Sequence, residues 1–469
     1  MKRIFRCLHN WYRSLQPIYA LVFGYAFYIL VIFALLCLPI CRTVSHISLV
    51  DLLFTAVAAI STAGLQTVNF AETYNFLGQF VILLGIQIGG LGYMTLGSLV
   101  ILASKGHLSR NRLNVGKAVL AMPEAFDPNR FFRHIAVFTF SIELIGALIL
   151  WLCFLSAGIQ NPLWAAIFHS VSAFCTAGIS IFPDNLEKFA GNTAICLTIA
   201  ALSLLGGIGF IVLEDLYRSF KHKSFRATLT TRIILVSTFG AIIVGTLFLF
   251  FDATLAALPL QQRCVNAFFQ TVVALTTSGF STIPISDLAA ASMIVVMILM
   301  MLGASPSGTG GGLKSTTWSA AIAAMMSFLR GDQEITFFNN HVPHGRVIAA
   351  FASITLYLIT FAVGTYCLLL SETLPFEHVI FETAAALGTA GLSHGITSEL
   401  STAGKYIVMT LMFIGRLGVV SLALGAVTLY HDIAHDQNGS DGSDPPTIYE
   451  SNILWEANED ETPSSIQDV

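Results

Sequence analysis

The sequence predicts an all-α polytopic membrane protein with eight transmembrane helices, arranged as four pairs that each enclose a short non-spanning stretch. The first observation is composition: 55% of the 469 residues are hydrophobic and only 11% are charged, against about 25% charged residues in an ordinary soluble domain. The second is a series of long charge-free intervals. The third is a motif that occurs four times. The composition, with a mean hydropathy of +0.76, excludes a soluble protein.

Charge-free intervals mark the candidate spans, because about 20 apolar residues cross the hydrocarbon core as a helix. The first interval follows a basic N-terminus and is too long for a signal-peptide core of about 7–15 residues, so it is predicted to stay as the first span. Spanning helices are expected near residues 18–40, 76–103, 131–157, 192–217, 230–251, 289–330 (interrupted), 346–371 and 405–431.

Lys and Arg are distributed unevenly between the two sides of these spans. Most of the 23 precede the first span or lie between spans two and three, four and five, and six and seven. This excess marks the cytoplasmic side, so both termini are predicted to be cytoplasmic. Residues 1–17 form the N-terminal segment. Residues 432–469 are rich in Asp and Glu without Lys or Arg, a composition that predicts a disordered acidic tail.

A short apolar motif recurs between the two spans of each pair. Each copy begins with Phe, and Ala, Thr and Gly follow at fixed distances. Because four gap-free copies are hard to obtain by chance, we interpret them as an internal repeat, with units 18–104, 131–217, 230–330 and 346–431. The copies are FTAVAAISTAG (54–64), FHSVSAFCTAG (168–178), FQTVVALTTSG (269–279) and FETAAALGTAG (381–391).

The chemistry of the motif favours a cation filter. About eight helical residues span only ~12 Å, so each stretch can enter the membrane but must return to the side from which it came. Irregular backbone at membrane depth is tolerated only inside protein or along a water-filled path. Four loops meeting on one axis can replace the hydration shell of a monovalent cation with carbonyl oxygens; the alternative is helix packing through small residues. The predicted filter residues are Thr62, Ala63, Gly64, Thr176, Ala177, Gly178, Thr277, Ser278, Gly279, Thr389, Ala390 and Gly391.

The sixth span is interrupted by a run that a helix cannot pass through. Because this run (303–312) lies mid-span just below the predicted filter, it is interpreted as a mobile loop in the ion path and a candidate gate. A phosphate-binding loop is excluded, since Leu313 separates Gly312 from Lys314 and no strand precedes. The candidate gate residues are Ser305, Ser307, Gly308, Thr309, Gly310, Gly311, Gly312, Lys314 and Arg416.

Charged residues within the apolar segments have more than one reading. Arg416 occupies the slot that Gly90 and Gly207 hold in other repeats, and a charge at mid-membrane costs roughly 2.5–3.5 kcal/mol. It could repel cations, anchor the loop, cap carbonyl groups or pair with an acidic residue. Lys314 could act in the gate or extend to the cytoplasmic surface.

Three acidic residues are further candidates. Glu143 lies in the third span, where a pairing or interface role is expected. Asp51 and Glu382 lie at or in the short stretches and could attract cations; simple solvation is the alternative for Asp51.

The sequence combines the Thr-x-Gly loops, the Gly-Gly-[Leu/Ile]-Gly runs, the run ending in Gly312-Leu313-Lys314 and the run 415–418. Together these features resemble the Trk/Ktr/HKT superfamily of potassium transporters, on its KtrB-type side. The resemblance covers about 18–431. It implies four M1-P-M2 repeats in pseudo-fourfold arrangement, K⁺ at the filter, and a gate formed by 303–312 and Arg416. It also implies a homodimer in the cytoplasmic (inner) membrane and a nucleotide-binding RCK-type regulatory partner.

We therefore expect potassium uptake through a channel-like pore, with K⁺ as substrate and Na⁺ as a possible activator. The alternative is a sodium-permeable or Na⁺/K⁺-coupled symporting relative. An alternating-access carrier would show inverted repeats and paired midplane acids. An intramembrane enzyme would need a nucleophile–base pair, but His169 and Ser170 are adjacent on a helix and point apart. We expect no enzymatic activity, no organic cofactor and no nucleic-acid partner; membrane lipid is the expected surrounding.

Overall fold

The protein is almost entirely helical. The computed structural model describes residues 17–44, 46–103, 128–221, 228–332, 334–337, 340–342 and 344–419. The predictions for the N-terminal segment before residue 17 and for the acidic tail 432–469 lie outside these residues.

Each Thr-x-Gly motif directly follows one helix, and longer or paired helices flank it on both sides. We call the helix before each motif a loop helix, the helix preceding it the outer helix and the helix following it the inner helix. In the first half the helices are α1 (Pro17–Leu36), α2 (Leu49–Ile60), α3 (Phe76–Ala103), α4 (Pro128–Ser156), α5 (Pro162–Phe174), α6 (Thr193–Ile208) and α7 (Phe210–Lys221).

The second half has the same order. Its helices are α8 (Leu229–Phe250), α9 (Leu260–Leu275), α10 (Ala290–Leu302), α11 (Ser315–Arg330), α12 (His344–Ser371), α13 (Phe376–Gly388) and α14 (Thr402–Leu417). Short α-helical turns cover Phe70–Thr73 and Ala253–Ala256, and 3₁₀ turns cover Pro39–Cys41, Glu187–Phe189, Ile285–Asp287 and Ile396–Glu399. An antiparallel pair of two-residue strands, β1 (Thr336–Phe337) and β2 (Asn340–His341), lies between α11 and α12.

Several helices have the length and apolarity of a membrane span. Among the described residues, Arg133–Ser156, Leu229–Phe250 and His344–Ser371 qualify, and the bent pair Thr193–Ile208 with Phe210–Ser219 makes a fourth if it is counted as one span. Shorter apolar helices, such as Ala290–Leu302, accompany them. The outer helices leave large apolar side chains uncovered, for example Ile243 at 69% exposure, as expected where lipid is the solvent.

The core lies around the loop helices. Phe54, Phe168, Phe269 and Phe381, which open the four motifs, are all fully buried. The Ala five residues after each Phe is also fully buried. The identities that reveal the repeat in the sequence are therefore packing positions that hold the loop helices at the centre of the molecule.

The inner helix of the second repeat differs from its prediction as one span over 192–217. The structure divides it into α6 and α7, which are bent by 94° at a break. Gly209 forms the break with φ +88°, and a Cβ there would lie 2.4 Å from the backbone of Ser307. Glycine is required because only this residue combines the positive φ with so close an approach.

The predicted interruption of the third repeat is present between α10 and α11, and its loop docks into the break at Gly209. We call residues 303–312 the glycine-rich loop. Ser305 N donates to Gly207 O at 3.0 Å, and Thr309 N donates to Gly206 O at 3.0 Å. Phe210 N donates to Ser307 O at 3.2 Å. The two broken helices thus satisfy each other's backbone groups, which lipid could not do.

Glycines also let three inner helices approach the ends of the loop helices. A Cβ on Gly89 would lie 2.2 Å from Ile60 O, and one on Gly206 would lie 1.9 Å from Phe174 O. A Cβ on Gly415 would lie 2.0 Å from Leu387 O. These carbonyls belong to the residue four positions before each loop glycine, so the same close contact is made in three repeats.

The Gly206→Ala variant should destabilise the fold by about 1–3 kcal/mol, the usual cost of overpacking, because the added methyl group meets the backbone of α5. The measurement is the thermal midpoint of the purified protein in detergent. Gly240→Ala is the matched control: Gly240 is helical and has no atom within 4 Å of an added Cβ, so its midpoint should stay the same or rise. Equal midpoints for the two variants would contradict the packing argument.

Candidate ion pathway

The four Thr-x-Gly loops share one backbone conformation. Thr62, Thr176, Thr277 and Thr389 have φ values of 48°, 51°, 55° and 49°, and the glycines two residues later have φ between 61° and 79°. A β-branched residue in this region is an outlier, and such strain costs about 1–3 kcal/mol per residue. Backbone strain at four equivalent positions is typical of a functional site, so these loops are the candidate site.

The loops close into a ring through contacts between backbone atoms. A Cβ on each loop glycine would collide with the carbonyl oxygen of the middle residue of the next loop. The distances are 2.5 Å from Gly64 to Ala177 O, 1.9 Å from Gly178 to Ser278 O, 2.4 Å from Gly279 to Ala390 O and 2.6 Å from Gly391 to Ala63 O. The order of contacts is one, two, three, four and back to one, so the loops that contain the predicted filter residues form one closed ring.

The ring carries no charged side chain, yet its electrostatics favour a cation. Each loop follows the C-terminus of its loop helix: α2, α5, α9 and α13 end at residues 60, 174, 275 and 388. The C-terminal end of a helix carries a partial negative charge of roughly half an elementary charge. Four such ends converge on the ring, and their partial charges would favour a positive ion there without a carboxylate.

A cavity of about 350 Å³ opens on the glycine side of the ring, and Gly64, Gly279 and Gly391 contribute to its lining. Acidic side chains reach it from the second repeat, namely Asp184 and Glu187. Burial, with the added charges of Asp184 and Asp287, raises the pKa of Glu187. Burial and the neighbouring carboxylates both disfavour the charged form of Glu187, and a cation in the cavity would favour that form.

The glycine-rich loop lies against the threonine side of the ring. Gly311 N donates to Thr277 Oγ1 at 2.9 Å, and Thr176 Oγ1 donates to Thr309 Oγ1 at 3.2 Å. A Cβ on Gly311 would lie 2.1 Å from Thr389 Oγ1. The loop thus contacts three of the four ring threonines.

Arg416 ties the glycine-rich loop to the first repeat. The side chain is 4% exposed. Its Nη1 donates to Thr309 O, and its Nη2 donates to Gly89 O at 2.5 Å. Of the readings open from the sequence, this geometry combines anchoring of the loop with capping of carbonyl groups.

Lys314 folds back onto the same loop. Its Nζ donates to Gly310 O at 2.8 Å. The side chain does not extend away from the loop, in contrast to the surface-seeking alternative open from the sequence.

The other charged candidates are held by protein partners. Asp51 forms an ion pair with Lys405 at 2.7 Å, which ties α2 to α14, so it is paired and not simply solvated. Glu143 accepts a hydrogen bond from Gln87 at 3.4 Å. Glu382 is fully buried.

His169 and Ser170 point apart. The nearest partner of His169 Nδ1 is Ala165 O, while Ser170 Oγ donates to Glu143 O at 2.7 Å. The two side chains therefore form no nucleophile–base pair.

Two features of this site escaped the sequence reading. The positive φ of the four threonines could not be predicted from the sequence, because threonine disfavours that region of backbone conformation. The break at Gly209 does have a signal in the sequence, because the run Gly206-Gly207-Ile208-Gly209 is rich in glycine. An apolar run without proline nevertheless predicts a continuous helix.

A closed ring of uncharged backbone loops, converging helix ends and apolar outer helices define a multi-pass membrane protein for cations. The family model described as "Cation transport protein", TrkH, matches residues 25–433. The chain belongs to this TrkH family.

Similar proteins support the same assignment. The Ktr system potassium uptake protein B of Bacillus subtilis (strain 168) is 34% identical, with 87% of this chain and 92% of that protein covered. The potassium/sodium uptake protein NtpJ of Enterococcus hirae is 32% identical, with coverage of 87% and 92%. The crystal structure of the potassium transporter TrkH from Vibrio parahaemolyticus matches with a TM-score of 0.65 at 20% identity, covering 81% of this chain and 78% of that one, which shows the shared fold.

Substituting Lys405 by Met should lower the free energy of unfolding by about 3 kcal/mol, because it leaves the Asp51 carboxylate poorly solvated and without its ion-pair partner. Thermal unfolding in detergent measures the effect. The double variant Asp51→Asn/Lys405→Met removes both charges and should recover much of the loss. A double variant as unstable as the single one would show that the ion pair is not the cause.

Proposed function

We propose that this chain is the ion-conducting subunit of a Trk/Ktr-type potassium uptake system in the cytoplasmic membrane. The closed ring of four uncharged Thr-x-Gly loops carries the proposal. A ring of carbonyl oxygens replaces the hydration shell of a monovalent cation. The names of the B. subtilis and Vibrio alginolyticus relatives, both Ktr system potassium uptake proteins B, support K⁺ as the substrate.

The proposed path begins in the cavity on the glycine side. Asp184 and Glu187 raise the local cation concentration there. The ion then loses water to the carbonyl groups of the filter residues 62–64, 176–178, 277–279 and 389–391, with the helix ends of α2, α5, α9 and α13 balancing its charge. No residue undergoes chemical change, so the proposed role is transport without catalysis.

The glycine-rich loop is the proposed gate. It lies against the threonine side of the ring, where an ion leaving the filter must pass, and Arg416 fastens it to α3 through Gly89 O. Opening requires the loop to break its hydrogen bonds, namely the one between Thr309 and Arg416 and the one between Gly311 and Thr277. These are a few hydrogen bonds, a scale that a regulatory partner can shift.

The membrane arrangement is part of the proposal. We infer eight spans in four M1-P-M2 repeats (18–104, 131–217, 230–330 and 346–431) around a pseudo-fourfold axis, with both termini cytoplasmic. The cyclic contacts of the loops and the uneven distribution of Lys and Arg support it. A homodimer with a cytoplasmic RCK-type regulatory subunit follows from the resemblance to the Ktr systems, whose name denotes more than one component.

A sodium-permeable or Na⁺/K⁺-coupled activity is the second candidate. The relative from E. hirae is named a potassium/sodium uptake protein and is 32% identical. Uptake of ⁸⁶Rb⁺ by proteoliposomes with and without Na⁺ separates the two. Rb⁺ flux that is independent of Na⁺ supports uniport, whereas a strict Na⁺ requirement supports coupling or activation.

The Gly178→Ser variant should abolish most K⁺ uptake, because its Cβ would lie 1.9 Å from Ser278 O and displace the third loop. Growth of a K⁺-uptake-deficient strain at low K⁺ and ⁸⁶Rb⁺ uptake are the measurements. Gly158→Ser is the matched control, since Gly158 also has a positive φ (+70°) but no atom within 4 Å of an added Cβ. Unchanged uptake and K⁺/Na⁺ preference in Gly178→Ser would refute the filter assignment.

The Arg416→Gln variant should raise basal flux several-fold, because it removes the charge-assisted bonds to Thr309 O and Gly89 O that hold the loop. Deletion of 304–311 should raise it further. Passive ⁸⁶Rb⁺ flux into proteoliposomes measures both, and Arg218→Gln, which alters an exposed pair with Glu214, is the control. Flux at the wild-type level in both variants would rule out the loop as the gate.

A further inference from the structure

One buried polar side chain occupies the same position in each loop helix. It directly follows the Phe that opens each motif, in helices whose other buried residues are mostly apolar. Its exposure is 1% in the first repeat and 0% in the other three. The four residues are Thr55, His169, Gln270 and Glu382.

In two repeats this side chain reaches the same target, the residue two positions after the loop glycine. The Nε2 atom of His169 lies 2.9 Å from Ser180 Oγ. Ser393 Oγ donates to Glu382 Oε2 at 2.8 Å. Both serines line the cavity on the glycine side of the ring. The position thus connects the back of the loop helix to the part of the loop that an arriving ion meets first.

The connection is most extensive in the fourth repeat. Thr397 Oγ1 donates to Glu382 Oε1, and Thr397 also lines the cavity. Gly395 N donates to Ser393 Oγ at 3.0 Å. The ion pairs found among the described residues do not include Glu382. Its carboxyl group therefore has hydroxyl donors as partners and holds residues 393–397 against α13.

Among the described residues, the first and third repeats show no such connection. Thr55 Oγ1 donates to Asp51 O at 2.9 Å within its own helix. The amide group of Gln270 has no hydrogen-bond partner in the described part of the chain. Since the loops follow one another around the ring in chain order, the two held loops, second and fourth, face each other diagonally.

We propose that Glu382 is a positioning residue that fixes the outer part of the fourth filter loop through Ser393 and Thr397 and so sets the preference of the pore for K⁺ over Na⁺; His169 holds the second loop through Ser180. The inference rests on the proposed function. The carbonyl groups of the loops replace the hydration shell of the ion, so a change in how one loop is held changes the ring that coordinates it. Residues 391–397 run directly from the ring glycine into the held segment.

The test is a mutant cycle between the carboxyl group and its two hydroxyl partners. The variants are Glu382→Ala, Ser393→Ala/Thr397→Val and their combination. Inhibition of ⁸⁶Rb⁺ uptake by Na⁺ and the KM for Rb⁺ are measured. Each variant should lose about tenfold in preference over Na⁺, the scale of a lost buried hydrogen bond, and the combination should lose no more than either alone.

Two further variants separate positioning from charge. Glu377→Ala removes an exposed carboxylate from the same helix and should leave the preference unchanged. Glu382→Gln keeps a carbonyl acceptor but cannot ionise, and it should retain most of the preference. Wild-type preference in Glu382→Ala, or additive losses in the combination, would overturn the proposal.

The readout also separates this proposal from the proposed function. If Glu382→Ala does not fold, the Ser393→Ala/Thr397→Val variant tests the same contact alone. If the wild-type chain takes up no Rb⁺, the proposed function fails, and K⁺ binding by calorimetry in competition with Na⁺ tests the positioning role on purified protein. Equal K⁺ binding preference in wild type and variants would then overturn it.

Discussion

The structure depends on one constraint, the contact between a loop glycine and the carbonyl oxygen of the next loop. The space for a Cβ is missing at all four contacts, with distances from 1.9 to 2.6 Å. A ring closed in this way brings backbone against backbone and leaves no room for a side chain at the four glycines. The four fully buried Phe residues and the inner-helix glycines serve this geometry, because they bring the loop helices close enough for their loops to meet. The strained threonines are tolerated because the surrounding core over-determines their conformation.

A second dependence links the two interrupted inner helices. A helix broken inside the membrane exposes polar backbone groups that lipid cannot satisfy. The break at Gly209 and the glycine-rich loop solve this together, since Ser305 N and Thr309 N donate to carbonyls of α6. The same arrangement places the glycine-rich loop against the threonine side of the ring. The loop is held there by a few hydrogen bonds, including the one from Arg416 to Thr309 O.

Much of this architecture could be predicted from sequence, because membrane insertion leaves strong signals. Helices α3, α8 and α12 lie close to their predicted bounds, since charge-free runs of fixed length have few other uses. The four motifs predicted the ring residues, because each of the four copies must meet the same steric demands. Predictions were weaker where the same residue type is compatible with several local structures or partners. The bend at Gly209 and the partner of Asp51 depended on distant segments, the loop at Ser307 and Lys405 in the fourth repeat.

The sequence by itself determined the class of protein, the repeat and the uncharged character of the ring, because these follow from composition and from identities at fixed spacing. Only the tertiary structure decided the order of the loops around the ring, the anchoring role of Arg416 and the holding of the second and fourth loops by His169 and Glu382. The physical reason is distance along the chain. Hydropathy and backbone restrictions act within about 20 residues, whereas Arg416 reaches Gly89 across more than 300 residues, a contact that exists only once four repeats have closed on one another.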